Sequence, residues 1–496
     1  MNDFVLNLSA ILDQILQSVP SFRSEVVLIG AFLLSVIATL FVDSKWKQSS
    51  FAVSISGILL AFGLLIQQLG QTGSGFFDML VIDNFSVYAR MLILFTLLII
   101  CIFVQQHFKD KPDNKRLGEV YGILLTAGLG LHILTMSSHW LMVFIAIETV
   151  SIGSYILVGY FSGNKKQSEA GMKYVLFGSA SAAVMLYGLS LIYGFTGNLD
   201  FISPQHIQGL AAAPAVICTI AILFIFTGIG FKLGFVPFHL WTPDVYEGAP
   251  TPITAFLSTA PKIGAIVLFS RLTQAWLPTL FYFSEVVFFF LVVVAIVTML
   301  VGNLIALRQY NIKRLMAYSS IGHTGFLLMA ILGLSTGNQG ILLFYLAAYT
   351  LMTLAAFAFI DVVEHATGIV DLRGYAGLGK RHQLIFTCFT FVGISLVGLP
   401  PTAGFIGKLL VFTSVFEVYQ SHMDIGYLLL LIVGALTSVI SLFYYFKIPL
   451  FAFLRKGDTD RDHKIGLSMV LVLGIAMTVS LLLLGLFPDL LLRFLR

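Results

Sequence analysis

Four ionisable side chains stand inside stretches of sequence that are otherwise apolar. They are Glu148 in FIAIETVSIGSY, Lys232 in GIGFKLGFVPFHLW, Lys262 in STAPKIGA and Lys408 in GLPPTAGFIGKLL. A carboxylate beside a buried lysine stabilises the charge of both groups, and a lysine whose partner is drawn away or screened can release its proton. These residues therefore predict proton transfer in an apolar environment, with Lys232 as the expected partner of Glu148. The alternative for Glu148 is a hydrogen-bond acceptor in helix packing.

Three further side chains could belong to the same path. Lys173 follows Glu169 by four residues, and its long side chain could equally extend to the membrane surface. His239 follows a sequence that breaks a helix, and His323 lies in YSSIGHTGF. Imidazole exchanges protons near neutral pH, although either histidine could instead pack with satisfied hydrogen bonds. Other residues near the ends of apolar stretches are predicted to reach the surface or to have no role in transfer: Arg90, His132, His139 and Lys447.

The energetic cost of these charges favours a functional explanation. A charged group at the centre of a bilayer costs about 2.5–3.5 kcal/mol on insertion scales. Glu148, Lys232, Lys262 and Lys408 together would cost on the order of 10 kcal/mol, so stability alone would favour Leu or Met. We therefore expect the charges to face a hydrated interior.

The elements that carry these residues are predicted to be membrane-spanning helices. Of 496 residues, 58% are hydrophobic and 10% are charged, against roughly 25% charged in a soluble protein. Residues 120–147, 286–307 and 315–360 contain no Asp, Glu, Lys or Arg. Apolar runs of this length indicate an all-α integral membrane protein. We predict about fourteen spans: 24–42, 51–69, 85–107, 118–136, 138–161, 170–195, 214–240, 252–277, 281–307, 314–334, 339–363, 382–416, 425–452 and 466–491.

Several other functions are disfavoured by the sequence. The predicted loops are too short to hold a nucleotide-binding or flavin-binding domain. Cys101, Cys218 and Cys388 are far apart, with no C-x-x-C motif or Cys/His cluster, so no metal or iron–sulfur site is expected. The first 24 residues lack the basic segment and the small-residue cleavage site of a removable signal peptide. No nucleic-acid partner is expected.

The distribution of Lys and Arg predicts the orientation. With the N-terminus outside, eighteen of the 28 Lys and Arg residues fall in cytoplasmic loops and four on the outer side, as the positive-inside rule requires. Both termini are then predicted outside the cytoplasmic (inner) membrane of a bacterium. The cytoplasmic set is Lys45, Lys47, Lys109, Lys111, Lys115, Arg116, Lys165, Lys166, Arg308, Lys313, Arg314, Arg373, Lys380, Arg381, Arg455, Lys456, Arg461 and Lys464, and the outer set is Arg23, Arg271, Arg493 and Arg496.

Spans 7 and 12 share an unusual pattern. Both combine a lysine with glycine and proline, but Lys232 precedes the break in span 7 and Lys408 follows the break in span 12. Five spans separate them, so the two enter the membrane from opposite sides. Such mirrored, interrupted helices are typical of inverted-topology repeats. We predict repeats at 118–277 and 281–452, preceded by three helices in 1–117 and followed by one in 464–496.

Three longer motifs resemble one known family. GFKLGFVPFHLWTPDVYEGAPTPITAFLSTAPKIGA (230–265), NIKRLMAYSSIGHTGF (311–326) and GLPPTAGFIGKL (398–409) are similar to subunit N of proton-pumping respiratory complex I, the NADH–quinone oxidoreductase. The resemblance runs over about 118–450. It implies fourteen helices, two inverted five-helix repeats and discontinuous helices 7 and 12. One departure is Pro261 immediately before Lys262.

The resemblance also implies roles for individual residues. Glu148 and Lys232 match the family's paired glutamate and lysine, and Lys262 matches its central lysine. Lys408 matches the exit-side lysine, where the sister subunit M carries a glutamate, and Lys173 matches a further lysine of helix 6.

The expected partners and cofactors follow from the same family. The implied neighbours are subunit M and the small subunit K, besides lipids, water and protons. NADH, flavin, iron–sulfur clusters and quinone are expected in partner subunits, and no cofactor in this chain. Two alternatives stay open: a subunit of a multi-subunit cation/proton antiporter, and a non-conducting assembly scaffold.

Overall fold

The structure is a computed structural model that describes residues 11–42, 46, 48–109, 117–161, 165–279, 281–334, 339–456 and 465–495. Helices dominate the described residues. The helices of the first half are α1 (Arg23–Phe41), α2 (Ser49–Gln67), α3 (Asn84–His107), α4 (Leu117–Met136), α5 (Trp140–Gly159), α6 (Lys165–Thr196), α7 (Pro204–Ala212), α8 (Ala215–Leu233), α9 (Trp241–Gly248) and α10 (Thr251–Trp276). Those of the second half are α11 (Tyr282–Ala306), α12 (Ile312–Leu332), α13 (Gln339–Thr367), α14 (Gln383–Val397), α15 (Ala403–His422), α16 (Ile425–Tyr445), α17 (Met469–Leu486) and α18 (Asp489–Leu495).

The apolar runs form helices because lipid offers no hydrogen-bond partners, and a helix satisfies all backbone groups within its own segment. Within the described ranges, thirteen helical segments are long and apolar enough to cross a membrane. The chain is therefore an all-α, multi-pass membrane protein, as predicted. Polar caps fix several helix starts: Asp83 accepts a hydrogen bond from the Ser86 amide in a capping box before α3, and Asn311 accepts from the amides of Lys313 and Arg314 before α12.

The core of the molecule is formed by helices from the middle of the chain. α10 is buried along its whole apolar length, and α12 and α13 are nearly so. α10 packs against α3, α4 and α13. By contrast, α6 and α16 present large apolar side chains outward, such as Leu176 and Val439, which fits contact with lipid or another subunit. The buried lysines thus lie on or beside helices that other helices surround.

Two predicted spans are interrupted. Span 214–240 ends as helix α8 at Leu233, where Gly234 adopts a left-handed conformation with φ of 67°. Span 382–416 is divided into α14 and α15, with Gly398 left-handed at φ of 88°. Each connection also contains a cis peptide bond before proline, Val236–Pro237 and Pro400–Pro401. Positive φ favours glycine because it lacks a Cβ, which explains the residue type at both helix ends.

Other details differ from the predicted layout. The loop before α3 contains a short antiparallel pair, β1 (Gly73–Gly75) and β2 (Leu80–Ile82). The segment between spans 6 and 7 contains the short helix α7. Arg271, counted among outer-side residues, lies within α10 and forms two hydrogen bonds to Asp83. Several predicted surface cations lie outside the described residues: Lys45, Lys47, Lys111, Lys115, Arg116, Arg461, Lys464 and Arg496.

Candidate functional site

Lys262 is buried in the middle of α10, with 3% of its surface exposed. Its ammonium donates three hydrogen bonds to α12: to the carbonyl of Ser320 at 2.7 Å, to the Ser320 hydroxyl at 2.6 Å and to the Thr324 hydroxyl at 2.8 Å. An ammonium has three N–H donors, so these contacts satisfy all of them without a carboxylate. Pro261 lies inside α10, and the helix continues through it from Thr251 to Trp276.

Thr324 connects Lys262 to the interruption of α8. Its hydroxyl lies 3.1 Å from the carbonyl of Leu233, the last residue of α8, and 3.0 Å from the carbonyl of Ser320 in its own helix, and its one proton is donated to either of them. The Leu233 carbonyl lacks a partner in its own helix because the helix stops there. A single hydroxyl thus joins the central lysine to the end of the helix that carries Lys232.

Lys232 lies in the last turn of α8 and is also buried, with 3% of its surface exposed. The C-terminal end of a helix favours a cation there. Its ammonium donates to the Ser151 hydroxyl of α5 at 3.0 Å. Glu148 lies one helical turn before Ser151 on the same helix and is half-buried, and its Oε1 has no hydrogen-bond partner within the described part of the chain. Among the described residues, the direct partner of the Lys232 ammonium is therefore Ser151 and not Glu148.

Lys408 lies at the second interruption. Its ammonium donates to the carbonyls of Val397 at 2.7 Å and Leu396 at 3.3 Å, which belong to the last turn of α14. It also lies 4.6 Å from the centre of the Phe326 ring of α12. The lysine thus neutralises the open carbonyl end of the preceding helix, as a cation at a helix C-terminus does. Its residue surface is 5% exposed.

His323 lies on α12 between the residues that contact Lys262 and Lys408. Its Nδ1 is 2.9 Å from the Tyr345 hydroxyl, and its Nε2 is 3.5 Å from the Tyr445 hydroxyl. Tyr445 in turn contacts the Ser319 hydroxyl. His323 and both tyrosines are buried. The structure therefore surrounds this histidine with hydroxyl groups that can donate or accept.

His239 lies in the connection between α8 and α9. Its residue surface is 8% exposed, and its Nδ1 has no hydrogen-bond partner among the described residues. Within the described part of the chain, its side chain forms no hydrogen bond with Lys232, Lys262 or Lys408. An unpaired buried imidazole nitrogen is costly unless water satisfies it.

Lys173 lies apart from the buried lysines, in a charged cleft at one end of the molecule. It forms ion pairs with Asp244 at 2.7 Å and Glu169 at 2.8 Å. Arg314 pairs with the other Asp244 oxygen at 2.7 Å and with Glu247 at 2.9 Å. These side chains line a cavity of about 160 Å³. Lys173 is thus held in an ion-pair network instead of extending alone to the surface.

The Asp244 carboxylate is stabilised by this cleft. Burial opposes its charge, but the hydrogen bonds and charges of Lys173 and Arg314 outweigh burial and lower the pKa of Asp244 below its ordinary value of 3.8. The Asp244 carboxylate therefore stays ionised at neutral pH. Asp244 and Arg314 were not singled out by the sequence analysis, although both lie within the motifs quoted there.

The hydroxyl residues around the lysines, Ser151, Ser320 and Thr324, were not predicted from the sequence, nor were those around His323, Tyr345 and Tyr445. Such residues are common in helices and carry no periodic signal of their own. The prediction for Arg90 was wrong. Its side chain is fully buried and pairs with Glu25 at 3.0 Å, because Glu25 at the start of α1 faces the interior. Lys447 donates to the carbonyls of Leu307 and Gln309.

Comparison with known proteins identifies relatives that carry the name NADH-quinone oxidoreductase. Residues 137–441 match the family described as NADH:quinone oxidoreductase/Mrp antiporter, TM. NADH-quinone oxidoreductase subunit N 2 of Chloroherpeton thalassium is 37% identical over 456 residues, covering 91% of this chain and 88% of the relative. NADH-quinone oxidoreductase subunit N of Bacillus anthracis is 34% identical over 480 residues, covering 94% and 92%.

Two solved structures share the fold. A chain of respiratory complex I from Thermus thermophilus is 31% identical with a TM-score of 0.78, covering 95% of this chain and 98% of that one. A chain of the Mrp complex from Dietzia sp. is 19% identical with a TM-score of 0.78, covering 97% and 96%. At 19% identity the second likeness concerns the fold alone.

Proposed function

Because the chain belongs to the subunit N family of NADH-quinone oxidoreductase, we propose that its buried lysines form the proton path of this antiporter-like, proton-translocating membrane subunit. The chain is a subunit of a translocase complex and is not itself the redox catalyst. The observation that carries the proposal is the position of α12. Ser320 and Thr324 of this helix bind the Lys262 ammonium, and Phe326 lies against Lys408.

The proposed path begins at the charged cleft. A proton enters from the cytoplasm near Lys173 and loads Lys232. Lys262 then passes it along the middle of the membrane with the help of water and of His239 or His323. Lys408 releases it towards the outer side. Thr324 contacts both the Lys262 ammonium and the carbonyl of Leu233, the residue after Lys232. Transfer between the lysine side chains requires bound water.

Glu148 is the proposed gate. A carboxylate near Lys232 stabilises the ammonium, and moving or screening that carboxylate favours proton release. Among the described residues, Ser151 and not Glu148 binds the Lys232 ammonium, so no direct ion pair fixes Glu148 to this lysine. Glu148 lies beside outward-facing residues of α5 such as Ile145 and Ile152. A charge in a neighbouring subunit on that face can therefore bias the Glu148–Lys232 interaction.

The proposed architecture has fourteen crossings. Repeats at 118–277 and 281–452 are inverted relative to each other, with 1–117 before them and 464–496 after them. The two interruptions support this arrangement, because each pairs a left-handed glycine with a buried lysine in opposite order. We place both termini outside the bacterial cytoplasmic membrane, from the distribution of Lys and Arg.

The proposed partners are the other subunits of the membrane arm, with subunit M and the small subunit K as neighbours. NADH, flavin, iron–sulfur clusters and quinone are assigned to partner subunits, whose quinone reduction drives the pumping. Within the described residues, no group of three or more His, Cys, Asp or Glu side chains is placed to hold a metal ion.

The second candidate is a subunit of a multi-subunit cation/proton antiporter. The family that matches residues 137–441 is described as covering both NADH:quinone oxidoreductase and Mrp antiporters, and broken helices with buried lysines would serve either assembly. Purification of the tagged chain from its host in mild detergent separates the two. Copurification with NADH-oxidising and quinone-reducing subunits supports the complex I assignment, and copurification with antiporter components alone contradicts it.

The gate is tested by Lys232→Met and Glu148→Ala in the assembled complex. We expect NADH-driven proton translocation to fall while the subunit stays incorporated. Normal pumping in either variant would refute the scheme. Loss of incorporation with normal pumping by the remaining complex would favour a non-conducting scaffold.

A further inference from the structure

A second ionisable cluster lies outside the lysine path, among the N-terminal helices. Glu25 of α1 accepts hydrogen bonds through Oε1 from Arg90 of α3 at 3.0 Å and from the His132 ring of α4 at 2.8 Å. All three side chains are fully buried, with 0% of their surface exposed. This cluster, Glu25–Arg90–His132, joins three helices around one carboxylate oxygen.

Each member of the cluster has one polar atom left over. Glu25 Oε2, Arg90 Nη2 and His132 Nε2 have no hydrogen-bond partner within the described part of the chain. Arg90 Nε donates to the Ser86 carbonyl at 3.3 Å. Buried polar atoms are almost always satisfied, and ordered water is the common solution.

The chemistry of the three atoms restricts what can bind. Arg90 Nη2 can only donate, and Glu25 Oε2, when ionised, can only accept. An anion would satisfy the arginine and be repelled by the carboxylate, while a metal cation would do the reverse. A small neutral molecule that both donates and accepts fits both atoms. His132 Nε2 accepts from it when the ring is neutral, because Nδ1 then carries the proton donated to Glu25, and donates to it when the ring is protonated. Water has these properties.

We propose that Glu25, Arg90 and His132 form a buried water-binding site that fastens the N-terminal helices to the rest of the protein. Glu25 and Arg90 belong to the N-terminal three helices, and His132 belongs to α4, the first helix after them. The bound water completes the hydrogen bonds of an ion pair that would otherwise be costly to bury. The site is separate from Lys232, Lys262 and Lys408, which contact other residues.

A density map of the assembled complex at a resolution that shows ordered water tests the site directly. We expect a peak within hydrogen-bond distance of Arg90 Nη2 and Glu25 Oε2. A dry site, in a map that resolves water elsewhere in this subunit, would overturn the proposal. A peak too strong for water and coordinated by Glu25 alone would overturn it in favour of a cation.

Variants test the fastening role in the same complex. Arg90→Met removes the countercharge of Glu25, and His132→Leu removes one of the two donors to its Oε1, so we expect a lower melting temperature and less subunit incorporated. His132→Asn retains a donor near Glu25, so its melting temperature and its incorporation should fall less than those of His132→Leu. The matched control is Thr96→Val on α3, whose buried hydroxyl donates to the Leu92 carbonyl of its own helix and to no other described residue. Melting and incorporation of Arg90→Met and His132→Leu equal to those of the control would contradict the proposal.

Discussion

The Lys408 ammonium donates a 2.7 Å hydrogen bond to the carbonyl of Val397, the last residue of the helix that precedes it. The break between α14 and α15 therefore has two consequences for the same site. It opens backbone carbonyls inside the membrane, which must be satisfied, and it supplies an ionisable group that satisfies them. Deprotonation of Lys408 would remove one donor from these carbonyls, so proton release and the local geometry of the break are physically coupled.

This coupling predicts the behaviour of Lys408→Met. Methionine fills the space but leaves the Val397 carbonyl without its donor, which should cost about 1–3 kcal/mol of stability and reduce pumping. Thermal melting and NADH-driven proton uptake in membrane vesicles measure the two effects. The control is Lys447→Met, because Lys447 also donates to backbone carbonyls but lies outside the proposed path. It should lose stability without losing pumping; an equal loss of pumping would contradict the assignment of Lys408.

The hydroxyl of Thr324 is predicted to matter for transfer at Lys262. Thr324→Val removes one acceptor from the ammonium and the donor to the Leu233 carbonyl, at a cost of about 1 kcal/mol for a typical hydrogen bond. We expect slower proton translocation in an assembled complex, less severe than replacement of Lys262 itself. Thr324→Ser keeps the hydroxyl and should restore the rate. Equal rates for the Val and Ser variants would show that the hydroxyl is not used.

Replacement of Gly398 is predicted to damage the second interruption. Gly398→Ala places a Cβ 2.7 Å from Cδ of Lys408 at a φ of 88°, and a left-handed conformation costs a non-glycine residue about 1–2 kcal/mol. We expect a lower melting temperature and slower proton pumping. Gly63→Ala in α2 is the control, since a Cβ there meets nothing within 4 Å. A Gly398→Ala protein as stable as the Gly63→Ala protein would argue against the left-handed turn.

The charged cleft gives a prediction for pH. The pKa of Asp244 is held below 3.8 by Lys173 and Arg314, so its stabilising effect is complete above that ordinary value and is lost as the pH falls through the lower, folded-state pKa. The difference in melting temperature between the native protein and Asp244→Asn should therefore stay constant from pH 8 to about pH 5. A difference that disappears within this range would mean that the carboxylate is not ion-paired as described.

The sequence predicted the all-α membrane fold class because long apolar runs with few charges are a strong local signal. Charge, glycine and proline inside such runs predicted interruptions near Lys232 and Lys408, and in the structure helices end at Leu233 and Val397. The sequence could not predict which helix faces Lys262, since Ser320 and Thr324 resemble any small polar residues of a membrane helix. Arg90 was misjudged because the partner that keeps it inside, Glu25, lies 65 residues away in sequence and near a span boundary.

The most direct test of the proposed path is the number of protons translocated per NADH oxidised when Lys262 is replaced. Lys262→Met removes the central ammonium and keeps the volume of the side chain, and the assembled complex is assayed in sealed vesicles beside Lys447→Met. The account predicts that the ratio falls for Lys262→Met and is unchanged for Lys447→Met. An unchanged ratio in a fully assembled Lys262→Met complex would contradict it.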